Sequence, residues 1–242
     1  ATGRELVKLL LNDNEVEKVN IFVRNAPVIE HEKLKIHTIG FNEIEKHKDL
    51  IKGDVLFSAL GTTKKDAGGK KEQYLVDYTF QHEFAKIAAV NGVENYSLVS
   101  SVGANAKSSF FYPKIKGELE QAIKKLNFQK IDIFQPPMLI RQPDLMRAGE
   151  KRGIKLLNFL NKIGILKSQK PLAVEALAEK MLKVAKTPSK EKVSTYLPKD
   201  LLIKKNENQA VYIYSFFKTI ELPFTRHDGF KKTDIKKQYF RS

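Results

Sequence analysis

A tyrosine and a lysine lie four positions apart, at Tyr112 and Lys116, and this pair has the clearest chemical meaning in the chain. Residues four apart on a helix share one face, so the lysine ammonium can lie close to the phenol oxygen. A neighbouring cation stabilises the phenolate and lowers the pKa of a phenol from its ordinary value of about 10. Tyr112 is therefore a candidate general acid or base, although this spacing is commonplace by itself.

Two serines, Ser100 and Ser101, end a predicted strand shortly before that pair. In a parallel α/β sheet, ligands bind at the carboxyl ends of the strands. A serine hydroxyl at this position can hold a substrate carbonyl or hydroxyl oxygen in the same cleft. The strand-end serine together with the tyrosine–lysine pair favours a catalytic role for all three residue types.

A second group of residues has the character of a nucleotide site. Thr2 and Gly3 stand directly before a predicted helix, where glycine permits close approach of a pyrophosphate and the helix N-terminus supplies N–H donors. Arg24 follows a predicted strand, at the position where a side chain reaches the adenosine ribose. An arginine there favours the 2′-phosphate of NADP, and the alternative is an ordinary surface arginine.

The elements that would position these residues alternate between strands and helices. Strands are predicted, in chain order, at 19–23, 37–39, 54–60, 95–100 and 130–134. Helices are predicted at the beginning of the chain and over 78–91 and 114–126. The alternation predicts an α/β fold, a doubly wound parallel sheet of the Rossmann type with helices on both faces.

The central first strand of such a sheet is missing from this order. A doubly wound sheet without it would leave two interior strand edges unpaired, which is costly. We therefore expect the natural chain to continue before Ala1 with about five to eight apolar residues and a glycine-containing turn.

Three regions follow from the change in pattern along the chain. Residues 1–140 are predicted to form a cofactor-binding core, and 141–203 to add substrate-side helices that complete the same domain. Residues 204–242 form a basic C-terminal extension of unknown structure. Apolar side chains between 141 and 170 could line the substrate pocket, although core packing explains them equally well; they are Leu145, Met146, Leu156 and Phe159.

Composition excludes several classes of protein. The chain is 42% hydrophobic and has no apolar run of the roughly 18 residues that a membrane span needs. It contains no cysteine, which excludes disulfides and thiolate chemistry and fits a reducing compartment, so a cytoplasmic location is expected. The five histidines show no ligand spacing, and no metal site is predicted.

The net charge of +15 is unevenly distributed. Residues 1–150 hold 22 of the 43 Lys and Arg but 20 of the 28 Asp and Glu, so most of the net positive charge lies beyond them. A basic third of a chain can attract nucleic acid or an anionic membrane surface. No zinc-finger or RNA-recognition motif accompanies it, so nucleic acid is disfavoured as a partner and a small-molecule substrate is expected.

Together these segments resemble a known family. Ala-Thr-Gly before a helix, Arg24 after a strand, ALGTT at 59–63, and LVSSVGA followed by YPKIKGELE resemble the atypical short-chain dehydrogenase/reductases, in the subgroup that includes the Tat-interactive protein. The resemblance covers roughly residues 1–200. It implies catalytic roles for Ser101, Tyr112 and Lys116, with Ser100 as the competing serine. It implies cofactor contacts from Thr2, Gly3, Arg24, Ala59, Leu60, Gly61, Thr62, Tyr112, Lys116, Pro136 and Met138.

One segment departs from the family pattern. After the fifth strand the family usually has Arg-Pro-Gly or Arg-Pro-Ser, whereas this chain has Gln135, two prolines and Met138. That segment lies near the nicotinamide in the family, so the departure concerns how the substrate is handled.

The resulting hypothesis is an NADP(H)-dependent oxidoreductase that acts on a small carbonyl compound. Lys116 would tune the phenol and hold the nicotinamide ribose, Tyr112 would protonate the developing alkoxide, and Ser101 would orient the substrate oxygen. The alternative is an NADP(H)-binding regulatory or scaffold protein without significant turnover, with the basic C-terminal third as its contact surface. The oligomeric state stays open.

Overall fold

The structure is a computed structural model that describes residues 1–145 and 170–201. The described residues belong to one compact unit. Several predictions concern residues outside these ranges: the apolar positions Met146, Leu156 and Phe159, and the C-terminal extension. Within the two described ranges, no helix has the length and apolar character that crossing a membrane requires.

Helices and strands alternate along the described chain. The helices are α1 (Thr2–Leu11), α2 (Lys64–Ala67), α3 (Lys70–Tyr74), α4 (Phe80–Val90), α5 (Phe111–Lys124), α6 (Val174–Lys186) and α7 (Pro198–Leu201). A 3-10 helix spans Phe41–Leu50, another spans Pro143–Leu145, and a π-helical turn over Leu75–Thr79 joins α3 to α4. The strands are β1 (Val19–Val23), β2 (Leu34–Thr38), β3 (Val55–Ser58), β4 (Asn95–Val99), β5 (Lys130–Phe134), β6 (Leu139–Ile140), β7 (Leu172–Ala173) and β8 (Val193–Tyr196).

All strand pairs among the described residues are parallel. Strands β3, β4, β5 and β8 form one sheet in that order, and β1 pairs with β2 in a second sheet. Within the described ranges β1 and β3 do not pair with each other. A short third sheet joins β6 to β7.

Helices cover both faces of the four-stranded sheet. On one face, α4 and α5 pack against Tyr96 and Leu98 of β4 and against Ile131 and Ile133 of β5. On the other face, α1 and α6 pack against Phe134 of β5. This two-sided packing confirms the predicted α/β, doubly wound fold of the Rossmann type, because parallel strands need both faces covered.

Three predicted element bounds were wrong for physical reasons. Strand β2 begins at Leu34, earlier than predicted, because it pairs with β1 from Val19 onward. Strand β3 ends at Ser58, and the two residues after it belong to the turn. Helix α5 begins at Phe111 because Pro113 lies in its first turn, where a missing N–H costs no helical hydrogen bond.

Helical structure also begins earlier than residue 78. It starts at Lys70, and the periodicity of this segment is hard to recognise because its buried face carries polar side chains. Gln73, Asp77 and Gln81 recur every four residues and are all buried. A helix with polar residues at its core positions lacks the apolar periodicity by which helices are recognised in a sequence.

Gly117 fixes the loop between β4 and α5 against the helix. A Cβ at Gly117 would lie 2.6 Å from the Asn105 Cα, and closer still to the Ala106 amide nitrogen. The Asn105 amide donates a hydrogen bond to the Pro113 carbonyl at 2.9 Å. The loop that begins at Ser100 is therefore held in direct backbone contact with α5.

We expect Gly117→Ala to destabilise the protein by about 1–3 kcal/mol, because overpacking costs more than the roughly 1 kcal/mol that alanine gains in helix propensity. Chemical denaturation of both proteins measures the difference. Gln121→Ala, at an exposed position of the same helix, is the matched control and should change the free energy of unfolding by less than about 0.5 kcal/mol. A Gly117→Ala protein more stable than the unmodified one would contradict this account.

Candidate active site

A cleft of about 450 Å³ lies beside the carboxyl end of β3. It is lined by Arg24, Phe41, Leu60, Gly61, Thr62, Asp66, Ala67, Glu72, Leu75, Val76 and Phe80. Six of the eleven lining residues have apolar side chains, and one guanidinium and two carboxylates are among the others. The structure thus brings four residues that the sequence predicted for cofactor binding, Arg24 and 60–62, to a single cleft.

The first turn of α1 approaches the same strand end. A Cβ built on Gly3 would lie 3.7 Å from the Cβ of Ala59, so the two residues are in van der Waals contact distance. Thr2 is buried at the beginning of α1. The amides of Thr2 and Gly3 belong to the first helical turn, whose N–H groups have no intrahelical acceptor. Such groups can bind a phosphate.

Helix α5 carries the predicted tyrosine and lysine one turn apart. Tyr112 lies in the first turn and is 40% exposed, whereas Lys116 is only 1% exposed. The Tyr112 side chain is therefore partly open to solvent, whereas Lys116 is buried in the protein interior. This difference in exposure fits a tyrosine that contacts the substrate and a buried lysine that acts on the tyrosine.

Lys116 is stabilised by two groups from other elements. Its Nζ donates a hydrogen bond to the Val99 carbonyl at 3.2 Å and lies 3.9 Å from Oδ1 of Asp77. Burial lowers the pKa of Lys116, and the charges of Asp77 and Glu120 act in the opposite direction. The carboxylates thereby favour the ammonium form in a site where desolvation favours the neutral amine.

Asp77 also connects Lys116 to the cleft. The Thr62 amide donates to Oδ2 of Asp77 at 3.4 Å, and Oδ1 lies 3.4 Å from the position of a Cβ on Gly61. Asp77 lies in the π-helical turn and is fully buried. The catalytic candidate Lys116 and the turn that lines the cleft therefore meet at one carboxylate.

The two candidate serines have different surroundings. Ser100 is buried, and its hydroxyl donates a short hydrogen bond to Glu120 of α5. Ser101 is half-buried, and its hydroxyl donates to the Val102 carbonyl at 3.3 Å, a local contact that a ligand oxygen can replace. The Ser100 hydroxyl is thus occupied by Glu120 inside the protein, and the Ser101 hydroxyl is the more accessible of the two to a ligand.

Gln135, the departure from the family pattern, also bonds to Glu120. Its amide nitrogen donates to the two carboxylate oxygens at 3.0 and 3.1 Å. Glu120 therefore accepts hydrogen bonds from the ends of two neighbouring strands, β4 through Ser100 and β5 through Gln135. The glutamine amide takes part in this internal network.

The segment after β5 runs beside the serine loop. The Val102 amide donates to the Pro136 carbonyl at 3.0 Å, which places Pro136 next to the β4–α5 loop. Met138 is 40% exposed, and its carbonyl accepts from the Leu172 amide at 2.9 Å. These two predicted cofactor residues thus lie at the strand ends, outside the set that lines the cleft described above.

Sequence reasoning missed three polar residues of the site. Asp77, Glu120 and Gln81 are buried, and each bonds to a group at a strand end or in the π-helical turn. Glu120 could have been found, because Tyr112, Lys116 and Glu120 recur every four residues on one helix face. Asp77 gives no comparable signal, because Gln73 and Gln81, which share its four-residue spacing, carry no titratable group.

The sequence matches a known protein family and is similar to known proteins. A family model described as NAD(P)H-binding matches residues 1–131. Over 171 residues the chain is 36% identical to Protein FMP52-1, mitochondrial, of Scheffersomyces stipitis, which covers 68% of this chain and 71% of that protein. It is 31% identical to Protein HTATIP2 of Rattus norvegicus over 154 residues, 62% of this chain and 63% of that protein.

The fold is also similar to a solved structure. The Bordetella bronchiseptica enzyme WbmH, determined in complex with NAD+, matches with a TM-score of 0.62 and 13% sequence identity. The match covers 81% of this chain and 71% of WbmH. At this identity the likeness concerns the Rossmann-like fold.

The expectation of a cytoplasmic location is wrong, because relatives from Scheffersomyces stipitis and Candida albicans are named as mitochondrial proteins. Cysteine content misled here, since a chain without thiols is compatible with either a reducing or an oxidising compartment.

The NAD(P)H-binding model covers more than half of the chain, and this match indicates a nicotinamide nucleotide as the cofactor class. The chain therefore belongs to the NAD(P)H-binding family, as an atypical short-chain dehydrogenase/reductase of the subgroup that includes the Tat-interactive protein.

Proposed function

We propose that this protein is an NADP(H)-dependent oxidoreductase that acts on a small carbonyl compound. The observation that carries the proposal is the meeting of the cleft and Lys116 at Asp77, with the exposed Tyr112 one helical turn away. An acid–base tyrosine, a buried ammonium and a nucleotide cleft are then within one site.

The cleft fits the adenosine part of the cofactor. Apolar side chains such as Phe41 and Phe80 can pack against an adenine ring, and Arg24 can bind the 2′-phosphate of NADP. Leu60, Gly61 and Thr62 would form the wall next to the ribose and phosphates. The first turn of α1 would receive the pyrophosphate at Thr2 and Gly3.

Three side chains would carry the chemistry. When bound, the nicotinamide supplies or accepts the hydride. Tyr112 donates a proton to the substrate oxygen as it becomes an alkoxide, or accepts that proton in the reverse direction. The Lys116 ammonium favours the phenolate form of Tyr112 and binds the nicotinamide ribose, and Ser101 orients the substrate oxygen.

Different parts of the chain are assigned to the cofactor and to the substrate. We assign the cofactor to residues 1–140 and the completion of the substrate side to 141–203. Asp144 pairs with Arg4 at 2.7 Å, and Gln142 donates to Glu5 at 2.6 Å. The beginning of the substrate-side region is therefore attached to the helix that would bind the pyrophosphate.

An NADP(H)-binding scaffold without turnover is the second candidate. Gln135 favours it, because the family's arginine near the nicotinamide is replaced by an amide that bonds to Glu120. A protein that binds NADPH but oxidises none of it across a broad panel of carbonyl compounds would support the scaffold.

We expect NADPH to bind at least about tenfold more tightly than NADH, because a charge-assisted bond from Arg24 is worth about 1.5–3 kcal/mol. Arg24→Ala should remove most of that difference. Titration of the cofactor fluorescence measures the four dissociation constants. Lys18→Ala, an exposed cation before β1, should leave the preference intact. Equal affinities of the unmodified protein for both cofactors would refute the assignment to NADP.

We expect Tyr112→Phe to lower turnover by about 10²- to 10⁴-fold, because it removes the transferable proton and keeps the ring. The affinity for NADPH should change little. Lys116→Met should weaken both turnover and cofactor binding, since the ammonium that it removes both favours the phenolate of Tyr112 and binds the nicotinamide ribose. Tyr74→Phe, a hydroxyl loss on the neighbouring α3, is the matched control for steady-state kinetics. Full turnover of Tyr112→Phe with a substrate would assign the acid to another group.

We also propose that the protein resides in mitochondria, as the names of its FMP52 relatives indicate. Expression of the full natural protein with a C-terminal tag, followed by organelle fractionation, tests this. The tag should co-fractionate with a mitochondrial matrix or membrane marker. Recovery with a cytosolic marker alone would be the contrary result.

A further inference from the structure

A buried carboxylate lies where the cofactor cleft and the catalytic lysine come together. Asp77 is fully buried, accepts from the Thr62 amide at 3.4 Å, and lies 3.9 Å from the Lys116 ammonium. Thr62 lines the cleft, whereas Lys116 belongs to α5. The two elements are far apart in sequence, and this side chain touches both.

The π-helical turn gives Asp77 this position and requires its own support. A π turn leaves backbone carbonyls without their usual helical donors. Gln81 supplies donors instead, because its amide nitrogen reaches the carbonyls of Val76 at 3.2 Å and Asp77 at 3.1 Å. The Gln81 amide oxygen accepts from Ser58 at 2.8 Å, which anchors the turn to the end of β3.

We propose that Asp77 is a positioning residue that holds the Lys116 ammonium in its charged form and in register with the Thr62 turn. The role rests on the proposed function of Lys116 in cofactor binding. Asp77 touches neither the substrate nor the reacting atoms in this role, and it acts through Lys116 and Thr62.

Within the described ranges, the groups that act on the Lys116 ammonium come from three elements. Glu120 comes from its own helix, Val99 contributes a carbonyl from β4, and Asp77 comes from the π-helical turn. Glu120 is shared with the donors Ser100 and Gln135. Of the two carboxylates that raise the pKa of Lys116 against burial, Asp77 has the larger effect.

The Asp77 charge affects the pH at which Lys116 loses its proton. In the proposed function, the Lys116 ammonium stabilises a phenolate only while it is protonated, and it is then also the stronger donor to ribose hydroxyls. Without the Asp77 charge, burial lowers the pKa of Lys116 further, so the ammonium is lost at a lower pH. In a protein without the Asp77 charge, cofactor binding and turnover should therefore weaken at alkaline pH and be retained at acidic pH.

Asp77→Asn tests the proposal, since it removes the charge and keeps the shape and the acceptor for Thr62. The pKa of Lys116 is measured by NMR of the lysine Cε and Hε resonances without cofactor, with the signal identified by Lys116→Met. We expect the pKa of Lys116 in Asp77→Asn to be at least about one unit lower than in the unmodified protein, a tenfold change in proton affinity. The NADPH affinity of Asp77→Asn should fall relative to that of the unmodified protein by a factor that grows as the pH rises.

Asp132→Asn is the matched control, because Asp132 is also buried beside a buried lysine, Lys130, at 3.3 Å. It lies in the middle of β5, two residues before the strand end that borders the site. Its substitution should leave both the Lys116 pKa and the pH profile of NADPH binding unchanged.

The outcomes separate this inference from the proposed function. An unchanged Lys116 pKa in Asp77→Asn overturns the inference, whether or not NADPH binds. If the unmodified protein binds neither NADPH nor NADH, the proposed function fails, while the NMR comparison still tests the charge effect.

If Asp77→Asn does not fold, the double variant Asp77→Asn with Lys116→Met decides the matter. Recovery of folding in the double variant supports the inference, because the defect then came from leaving one member of the pair buried alone. A double variant that also fails to fold overturns it and makes Asp77 a purely structural residue.

Discussion

The site depends on burying the ammonium of Lys116 inside a protein. A charged group removed from water loses several kcal/mol of solvation unless other groups compensate, and an uncompensated amine simply loses its proton. The structure compensates with a strand-end carbonyl and two carboxylates at different distances. Each of these groups comes from an element that must be placed correctly, so the requirements of one ammonium constrain β4, α5 and the π-helical turn together.

The same requirement explains the polar network at the ends of β4 and β5. Glu120 is buried and accepts hydrogen bonds from Ser100 and Gln135, which satisfy a carboxylate that would otherwise be costly to bury. In return the network fixes the strand ends relative to α5. Gly117 does this sterically on the next part of the loop, because only a residue without a Cβ allows the backbone of the loop to approach so closely.

The sequence was informative where chemistry follows a simple spacing. The four-residue interval between Tyr112 and Lys116 requires only that the segment be helical, and the placement of Arg24 at the cleft requires only that a strand precede it. Asp77 could not be found in this way. Its position depends on a departure from α-helical geometry, and the polar residues every four positions around it conceal the helix itself. The choice between Ser100 and Ser101 likewise depends on which hydroxyl a distant glutamate reaches.

The π-helical turn over Leu75–Thr79 also limits how this segment can change in evolution. An α-helix advances about 100° per residue, because one turn takes 3.6 residues. Deleting a single residue from the turn would restore regular α-helical spacing and rotate α3 relative to α4 by about that angle. Gln73, which donates to the Thr62 carbonyl at 3.3 Å, would then leave its acceptor. Relatives of this protein should therefore tolerate substitutions in this stretch far more readily than changes in its length.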